Sequence, residues 1–276
     1  MNPQLFEELK RNISLALQED HAFSDLTTTA CLEPRRGFAT LLLKESGVIA
    51  GLSFIPLMID AIDPELNVTL LVNDGTFFEG GPIAQMEGPL YSLLALERTL
   101  INFVQHTTSI ATKTREFVEA AKGKCDILDT RKTLPGHRHL QKYAVRMGGG
   151  KNHRFHLADQ ILIKDNHLAE LSITEAVRRA REKHPGMKIE VEVENEKMFE
   201  EAVNACPDAI LLDNMDPEMI KNFVKRKKDQ IYLEASGGID LKNIRSYADT
   251  GVDGLSIGAL THTVKAIDMS LEMRRI

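Results

Sequence analysis

The chain has 276 residues, of which 43% are hydrophobic and 27% are charged, and its net charge is −6. This composition is ordinary for a soluble globular protein, and the length allows one large α/β barrel or two smaller domains. The acidic balance argues against a nucleic-acid-binding protein, and no apolar run approaches the roughly 20 residues of a membrane helix. Three scattered cysteines and an amphipathic, acid-containing N-terminus predict a reduced, cytoplasmic protein.

The first hundred residues predict a small α+β domain with antiparallel strands. Apolar residues recur at helical spacing over residues 3–19, which predicts an amphipathic helix. A short helix is expected over Leu52–Ile62. Strands are predicted for three apolar segments that turn signals separate, namely 38–44, 48–51 and 67–72.

The stretch Leu90–Lys122 contains neither Gly nor Pro and predicts helix. Its first part, up to about His106, is apolar on nearly all sides. Residues Gln105–Ser109 weaken the helix propensity, and residues 110–121 resume the helical pattern. We therefore predict a boundary near residue 106, with one domain over 1–106 and a second over 107–263.

After Gly123 the sequence alternates between strand and helix patterns, which predicts parallel strand pairing. A capping box at Ser172 opens a helix over 173–184, and Asp216 before a proline opens another over 217–227. Polar residues follow every predicted strand, as the active-site face of an α/β barrel requires, and no GxGxxG motif follows the first strand. A barrel is therefore predicted. Its strands are 126–129, 160–163, 188–193, 209–212, 231–235 and 254–257.

The segment Asp126–His167 is unusually basic for an acidic chain. It contains eight of the Lys and Arg residues, four Asp and five of the nine His. Its cations flank two predicted strands, so we expect them to meet at one place and to bind a small anion. Dicarboxylate and phosphate ligands need such groups, Arg in bidentate geometry above all. The cationic set is Arg131, Lys132, His153, Arg154 and Lys164.

Other residues of this segment have plainer interpretations. Arg138, Lys142 and Arg146 lie on a predicted helix over 137–147 and are first interpreted as its solvated face. The histidines at 137 and 139 diverge at a helix start, so no zinc site is predicted. The glycines at 148–150 lie between cationic clusters and are expected to shape a ligand loop.

Two glycine-containing turns follow the last two predicted strands, where barrels commonly bind phosphate. One is Ser236-Gly237-Gly238, and the other begins at Gly258. Glycine permits close approach of the backbone, and helix N-termini supply N–H donors. The alternative is two ordinary turns that need positive φ angles. The presence of both turns favours phosphate.

Glu192 and Asp213 end neighbouring predicted strands and face the barrel mouth. Carboxylates there can hold Mg²⁺ or accept hydrogen bonds from sugar hydroxyls. A structural ion pair with Lys164 or Arg131 is an equal alternative, because an unpaired carboxylate is costly to bury. Glu190 lies on the same strand face as Glu192. We prefer Glu192 as the functional carboxylate because it lies nearer the strand end. Together these residues predict an enzyme whose barrel site takes a multiply anionic, phosphate-bearing substrate.

A set of long motifs extends through nearly the whole chain. They are DLTT (25–28), ALERTLINF (95–103), SIAT (109–112), DTRKTLPGHRHLQKYAVRMGGGKNHR (129–154), ILIKDNH (161–167), EVEVEN (190–195), ILLDN (210–214), EASGGI (234–239) and VDGLSIGALTHTVKAIDMSL (252–271). In order and spacing these motifs closely resemble those of the quinolinate phosphoribosyltransferase family.

The resemblance implies phosphoribosyl transfer from phosphoribosyl pyrophosphate to quinolinate with decarboxylation. The products would be nicotinate mononucleotide, CO₂ and pyrophosphate, in NAD biosynthesis, with Mg²⁺ as cofactor. It implies an incomplete TIM-like α/β barrel beside a smaller N-terminal α/β sandwich, which a C-terminal helix at 264–276 would complete. It also implies a homodimer in which Arg98 of one subunit reaches the other subunit's site.

The resemblance also implies residue roles, by motif position. The residues that would bind quinolinate are Arg98, Arg131, His153, Arg154 and Lys164. Those that would bind phosphoribosyl pyrophosphate and Mg²⁺ are Lys132, Glu192, Asp213, Ser236, Gly237, Gly238 and Gly258. Thr130 and Arg138 fall on motif positions too and join the substrate site. Lys132, Glu192 and Asp213 would be catalytic, and the two acids would hold the metal.

The chain departs from the family pattern in a few loops. Thr107-Thr108-Ser109 replaces a leucine- and glycine-containing segment, His137 replaces a leucine, and Phe155-His156 replaces a segment with glycine. The stretch EDHAFSD near Asp25 lacks the usual glycines. Two alternatives to the predicted reaction are the same scaffold acting on another acid and a non-catalytic sensor of a phosphate ligand.

Overall fold

The computed structural model describes residues 2–275. They form two compact units, each of which is discontinuous in sequence. The first unit comprises Met1–Arg115, Thr133–Gly149 and Thr263–Ile276, and the second comprises Glu116–Lys132 and Gly150–His262. The predicted division had its boundaries at 106 and 263. The observed division differs from it because residues 133–149 belong with the first unit.

The helices and strands are numbered here in chain order. The helices are α1 (Pro3–Glu19), α2 (Leu26–Cys31), α3 (Ile55–Ile62), α4 (Leu90–Ala121), α5 (Arg138–Met147), α6 (Asp165–Leu168), α7 (Ile173–Lys183), α8 (Glu196–Ala205), α9 (Pro217–Val224), α10 (Ile244–Ala248) and α11 (Ala259–His262). The strands are β1 (Arg36–Leu43), β2 (Gly47–Val48), β3 (Asn67–Leu70), β4 (Phe77–Phe78), β5 (Gly81–Pro89), β6 (Asp126–Leu128), β7 (Ile161–Ile163), β8 (Ile189–Val193), β9 (Ala209–Asp213), β10 (Tyr232–Ser236), β11 (Gly254–Ser256) and β12 (Met269–Arg275).

The first unit is built on an antiparallel sheet with the strand order β12-β1-β5-β3. In β1 buried residues alternate with more exposed ones, so one face of the sheet enters the core. The predicted amphipathic helix is confirmed as α1, and its apolar residues pack in the same core. The sheet and its helices therefore share a single hydrophobic core.

The predicted helix at 264–276 is wrong over the described residues, and Ile276 lies outside them. Residues Met269–Arg275 form strand β12, which pairs along β1 with Leu41 opposite Leu271. Every second residue of β12, namely Met269, Leu271 and Met273, packs in the core. A period of two is typical of a strand. The sequence of this segment permits either a helix or a strand, and pairing with the free edge of β1 favours the strand.

The weak helix segment predicted near residue 106 does not interrupt α4, which continues from Leu90 to Ala121, and the first unit extends to Arg115. The hydroxyl groups expected to weaken the helix all donate to backbone carbonyls. Thr107 donates to Phe103 O at 2.8 Å and Ser109 to Gln105 O at 2.6 Å, each one turn earlier, and Thr108 donates to Ala50 O at 3.0 Å. Buried hydroxyls that are satisfied in this way are compatible with a helix interior.

Helix α5 packs in the first unit and was wrongly assigned to the barrel. Its N-terminus is held by Glu8 of α1, whose carboxylate accepts hydrogen bonds from the backbone N–H groups of His139 and Leu140. The interpretation of Lys142 as solvated is wrong, since its side chain is fully buried, whereas Arg146 is exposed.

The second unit contains six parallel strands in the order β6-β11-β10-β9-β8-β7. All six predicted strands are confirmed within a residue or two. Over residues 2–275, β6 and β7 end this order without pairing with each other, so the barrel is incomplete. Both predicted helix starts are confirmed. Ser172 accepts from Glu175 N as an N-cap, although the Glu175 carboxylate pairs with Arg178 and Arg179 and does not complete a capping box, and Asp216 precedes Pro217 at the start of α9.

Between residues 2 and 275, no helix combines the length and the apolar character that a membrane crossing demands.

Candidate active site

A cavity of about 530 Å³ lies within the second unit, among residues at and after the carboxyl ends of its strands. Every predicted site residue of this unit except Gly258 lines it. Leu162, Leu211, Asn214 and Ser256 were not predicted and line it too. The complete lining is Thr130, Arg131, Lys132, His153, Arg154, Leu162, Lys164, Glu192, Leu211, Asp213, Asn214, Ser236, Gly237, Gly238 and Ser256.

The cavity brings together the predicted cations. Arg131 and Lys132 follow β6, Arg154 lies before β7, and Lys164 follows β7. Partial burial, and then the positive charge of Arg131, lower the pKa of Arg154. Partly buried cations that repel one another favour an anionic ligand, because the ligand would offset both the burial and the repulsion.

Glu192 and Asp213, here called the mouth pair, both line the cavity. The Glu192 carboxylate lies 2.5 Å from Lys164 Nζ, so the ion pair weighed as an alternative does form. The Asp213 carboxylate accepts from Asn214 Nδ2 at 2.7 Å. Oxygen donors on two neighbouring strands beside an open cavity are a set that Mg²⁺ accepts. The residues therefore fit the predicted metal.

The turn after β10 requires glycine at position 237. Asn214 has φ +53° and donates its backbone N–H to Ser236 O at 2.9 Å. A Cβ atom on Gly237 would lie 2.1 Å from Asn214 Oδ1, and Gly237 itself has φ +98°. Sequence reasoning missed Asn214, although the ILLDN motif contains it.

Gly258 does not line the cavity, but it gives room to a residue that does. A Cβ atom there would lie 3.1 Å from Cδ of Lys132 and 2.9 Å from Nε2 of His262. The carbonyl of Lys132 also accepts from Thr261 Oγ1 at 2.7 Å. The missing side chain at 258 thus lets the turn after β11 pack against Lys132.

Two further carboxylates, Glu190 and Glu234, are here called the buried pair. Their side chains are only 2% and 3% exposed. Each lies two positions before a cavity-lining residue, so it occupies the same face of its strand but lies further inside. Burial, and then the charge of Glu190, raise the pKa of Glu234 to about 7, while His153 and the donating hydroxyl of Ser256 oppose the rise.

His153 contacts the buried pair through its ring. Its Nε2 lies 3.0 Å from Glu190 Oε2 and 3.7 Å from Glu234 Oε1. Its Nδ1 accepts the backbone N–H of Arg154 at 2.7 Å, so in the neutral ring the proton is on Nε2, which donates to Glu190. The three residues are close enough to share a metal ion, but this arrangement uses the Nε2 lone pair for a proton.

Asp129 holds the loop that carries His153. Its buried carboxylate accepts from His153 N at 2.9 Å and from Asn152 Nδ2 at 2.6 Å. Asp129 was not among the predicted site residues. An acid at the carboxyl end of a predicted strand was the available signal.

Two predicted site residues belong to the first unit. Arg98 is exposed on α4. Arg138 is half-buried at the start of α5, where its Nε donates to Thr133 Oγ1 at 3.0 Å.

Two sequence profiles together account for most of the chain. The profile of the quinolinate phosphoribosyl transferase C-terminal domain matches residues 110–272, and that of the N-terminal domain matches residues 25–108. The chain belongs to the quinolinate phosphoribosyl transferase family. The predicted family is thereby confirmed.

Two bacterial relatives and one solved structure match this quinolinate phosphoribosyl transferase family member over more than nine tenths of their own length. The probable nicotinate-nucleotide pyrophosphorylase (carboxylating) of Bacillus subtilis is 40% identical over 96% of this chain and 93% of its own. The nicotinate-nucleotide pyrophosphorylase (carboxylating) of Mycobacterium leprae is 40% identical over 97% and 98%. A solved structure of the nicotinate-nucleotide pyrophosphorylase from Francisella tularensis is 37% identical, covers 97% of this chain and 96% of that one, and has a TM-score of 0.94.

Proposed function

We propose that the chain transfers a phosphoribosyl group from phosphoribosyl pyrophosphate to quinolinate with decarboxylation, giving nicotinate mononucleotide, CO₂ and pyrophosphate in NAD biosynthesis. The observation that carries the proposal is a single cavity, in a member of this family, that joins a cationic cluster, two carboxylates and a glycine turn. A substrate with two carboxylates and a substrate with several phosphates both need those cations.

Quinolinate would be held by its two carboxylates. Arg131 and Arg154 offer planar forks that match carboxylates in bidentate geometry, and Lys164 adds a point charge. Burial, and then the charge of Arg131, lower the pKa of Arg154, and a bound carboxylate would offset both effects. His153 also lines the cavity, but both its ring nitrogens already have hydrogen-bond partners within the protein.

Phosphoribosyl pyrophosphate would lie between Lys132 and the turn Ser236–Gly238. Lys132 is exposed, so its ammonium can reach phosphate oxygens. Gly237 and Gly238 have positive φ angles and form a turn, and successive backbone N–H groups in a turn can bind an anion. A Cβ atom on Gly238 would meet nothing within 4 Å, so the approach to this turn is open.

The mouth pair would act on the ribose and the leaving group. As the pyridine nitrogen attacks C1 of the ribose, the bond from C1 to pyrophosphate oxygen breaks and positive charge develops on the sugar, which the carboxylates of Glu192 and Asp213 stabilise. These two residues would also hold Mg²⁺, which when bound neutralises charge on the departing pyrophosphate.

Decarboxylation would then follow on the same bound ring. The new pyridinium nitrogen is positive, so the neighbouring ring carbon can keep the electron pair when its carboxylate leaves as CO₂. A proton then adds to that carbon. The arginines hold the second carboxylate and keep the ring in place during this step.

Turnover of the proposed substrates tests the proposal directly. The purified protein with quinolinate, phosphoribosyl pyrophosphate and Mg²⁺ should release CO₂ and pyrophosphate in equal amounts. Nicotinate should be a far poorer acceptor. Folded protein that releases neither product would overturn the proposal, binding without turnover would indicate a sensor, and a preference for nicotinate would indicate a different acid as the substrate.

We further propose that the protein works as a homodimer whose sites each take Arg98 from the partner. The exposed position of Arg98 on α4 supports this proposal, together with the family resemblance. Arg98→Ala and Lys132→Ala proteins should each be nearly inactive. After mixing and re-equilibration, about a quarter of the wild-type activity should return, because half of the dimers are mixed and one of their two sites is intact. No recovery would mean that Arg98 acts within its own chain or not at all.

A further inference from the structure

Four residues, two of which line the cavity, are joined in a closed ring of hydrogen bonds. The backbone N–H of Arg154 donates to Nδ1 of His153 at 2.7 Å, and Nε2 of His153 donates to Glu190 Oε2 at 3.0 Å. Gln160 Nε2 donates to the same oxygen at 2.7 Å. Arg154 Nη1 donates to the backbone carbonyl of Gln160 at 3.3 Å, which closes the ring. The ring therefore connects a buried carboxylate to both the main chain and the guanidinium of Arg154.

Glu190 is the acceptor on which this ring depends. One of its oxygens receives two donors, and each of the donors comes from a segment that also touches Arg154. Its other oxygen, Oε1, is buried and has no hydrogen-bond partner among residues 2–275. A buried carboxylate with one oxygen unsatisfied is costly, so its presence calls for an explanation other than packing.

The charge of Glu190 provides such a use. Burial and Arg131 lower the pKa of Arg154, and the charge of Glu190 opposes both. A neutral residue of the same shape would leave the guanidinium less well paired before substrate arrives. A less well-paired guanidinium would also be free to take other rotamers, and catalytic geometry tolerates little displacement.

We infer that Glu190 is a positioning residue that acts through His153 and Gln160 to hold Arg154 in the orientation that receives a carboxylate of the dicarboxylate substrate. The inference rests on the proposed function, since it assigns the carboxylate to Arg154. Glu190 does not line the cavity, so it would not touch the substrate itself. Its effect should therefore fall on the affinity for quinolinate and spare the affinity for phosphoribosyl pyrophosphate.

The experiment is a double-mutant cycle between Glu190→Gln and Arg154→Lys. The Kd of quinolinate is measured by calorimetry, and KM for each substrate is measured by pyrophosphate release. Glu190→Gln keeps an acceptor oxygen but loses the charge, and charged hydrogen bonds are about twice as strong as neutral ones. We expect the Kd and KM for quinolinate to rise roughly tenfold, with KM for phosphoribosyl pyrophosphate changed less than about twofold. In the Arg154→Lys protein the same change should add less than about twofold, because the residue it positions is gone.

Two further variants separate the inference from a fault in folding. Gln160→Leu removes one donor to Glu190 and leaves the backbone carbonyl in place, so it should raise the Kd for quinolinate in the same direction. Glu194→Gln changes an exposed acid beside the same strand and should leave both substrates' constants unchanged. Additive effects of Glu190→Gln and Arg154→Lys, or equal losses for both substrates, would overturn the inference.

The proposed function fails in a different way. Wild-type protein that binds no quinolinate would overturn that function and the inference with it. Wild-type protein that binds quinolinate, with Glu190→Gln and Gln160→Leu binding it equally well, would overturn the inference alone.

Discussion

The mouth pair and the buried pair place the same kind of side chain in two different surroundings. Glu192 and Glu190 lie on one face of β8, two positions apart. The Glu192 side chain is 11% exposed and pairs with a lysine, whereas that of Glu190 is 2% exposed and is held by a histidine and a glutamine. Glu234, the other buried acid, has Ser256 and His153 as neighbours.

This difference shows that position along the strand decides what a carboxylate can do. At the mouth, Glu192 keeps a cationic partner and Asp213 an amide partner, and either carboxylate can exchange its partner for a ligand or a metal. Two positions further inside, water is excluded, and a second carboxylate nearby raises the pKa of Glu234 to about 7. The mouth pair is therefore suited to chemistry, and the buried pair to holding other residues in place.

The largest expected effect separates the two pairs by kinetics. Glu192→Gln removes charge from the mouth and should lower kcat by roughly 10²–10³-fold, the usual loss for one preorganised electrostatic group. Thermal stability should change little, because Glu192 touches the cavity and its removal leaves no buried cation. Glu190→Gln should instead keep most of kcat and raise KM for quinolinate. Steady-state assays of the two variants, run side by side, test this difference. If Glu192→Gln and Glu190→Gln lowered kcat equally, the comparison of the two pairs would be wrong.

Much of the fold could be predicted because its patterns are local. The six parallel strands are short apolar runs that end in polar groups, and the caps at Ser172 and Asp216 depend only on neighbouring residues. Strand β12 could not be predicted in this way. Its sequence permits a helix or a strand, and the edge of β1, more than two hundred residues away, decides between them.

The mouth of the site was predictable for the same local reason, since residues that directly follow barrel strands meet at one face. The buried pair was not, because an acid within an apolar strand pattern gives no sign of its partners. His153, Gln160 and Ser256 come from separate segments and satisfy these acids only in the folded chain. The individual ligand roles rest on the family resemblance and stay predictions.

The second expected effect is a pH dependence of stability that belongs to the buried pair. The pKa of Glu234 is about 7 in the folded protein, where Glu190, His153, Ser256 and Asp129 surround it, against 4.5 for the ordinary side chain. Between these values the folded state binds more protons than the unfolded state, so stability falls as the pH rises, and it levels off above pH 7. The total loss is on the order of 3 kcal/mol for a shift of this size.

Glu234→Gln should remove this slope. The amide oxygen can still accept from Ser256, but the residue no longer titrates. Urea unfolding between pH 5 and 8 should show the wild type losing stability relative to the variant as the pH rises. Glu194→Gln, which changes an exposed acid, should parallel the wild type. Parallel curves for Glu234→Gln and the wild type would mean that Glu234 is ionised throughout.

The smallest expected effect comes from two adjacent glycines and disturbs the mouth pair alone. Both Gly237 and Gly238 have positive φ angles, so alanine at either position costs about 1–2 kcal/mol of stability. Only at Gly237 would the new Cβ also meet Asn214 Oδ1, at 2.1 Å, and Asn214 donates to Asp213. Gly237→Ala should therefore lose roughly 1 kcal/mol more than Gly238→Ala and raise KM for phosphoribosyl pyrophosphate further. Because Asn214 donates its hydrogen bonds to Asp213 and Ser236, and Glu234 is bound by Ser256, the pH dependence of stability should survive in both variants. If Gly237→Ala abolished that dependence, the mouth and buried pairs would be coupled, and the distinction drawn between them would fail.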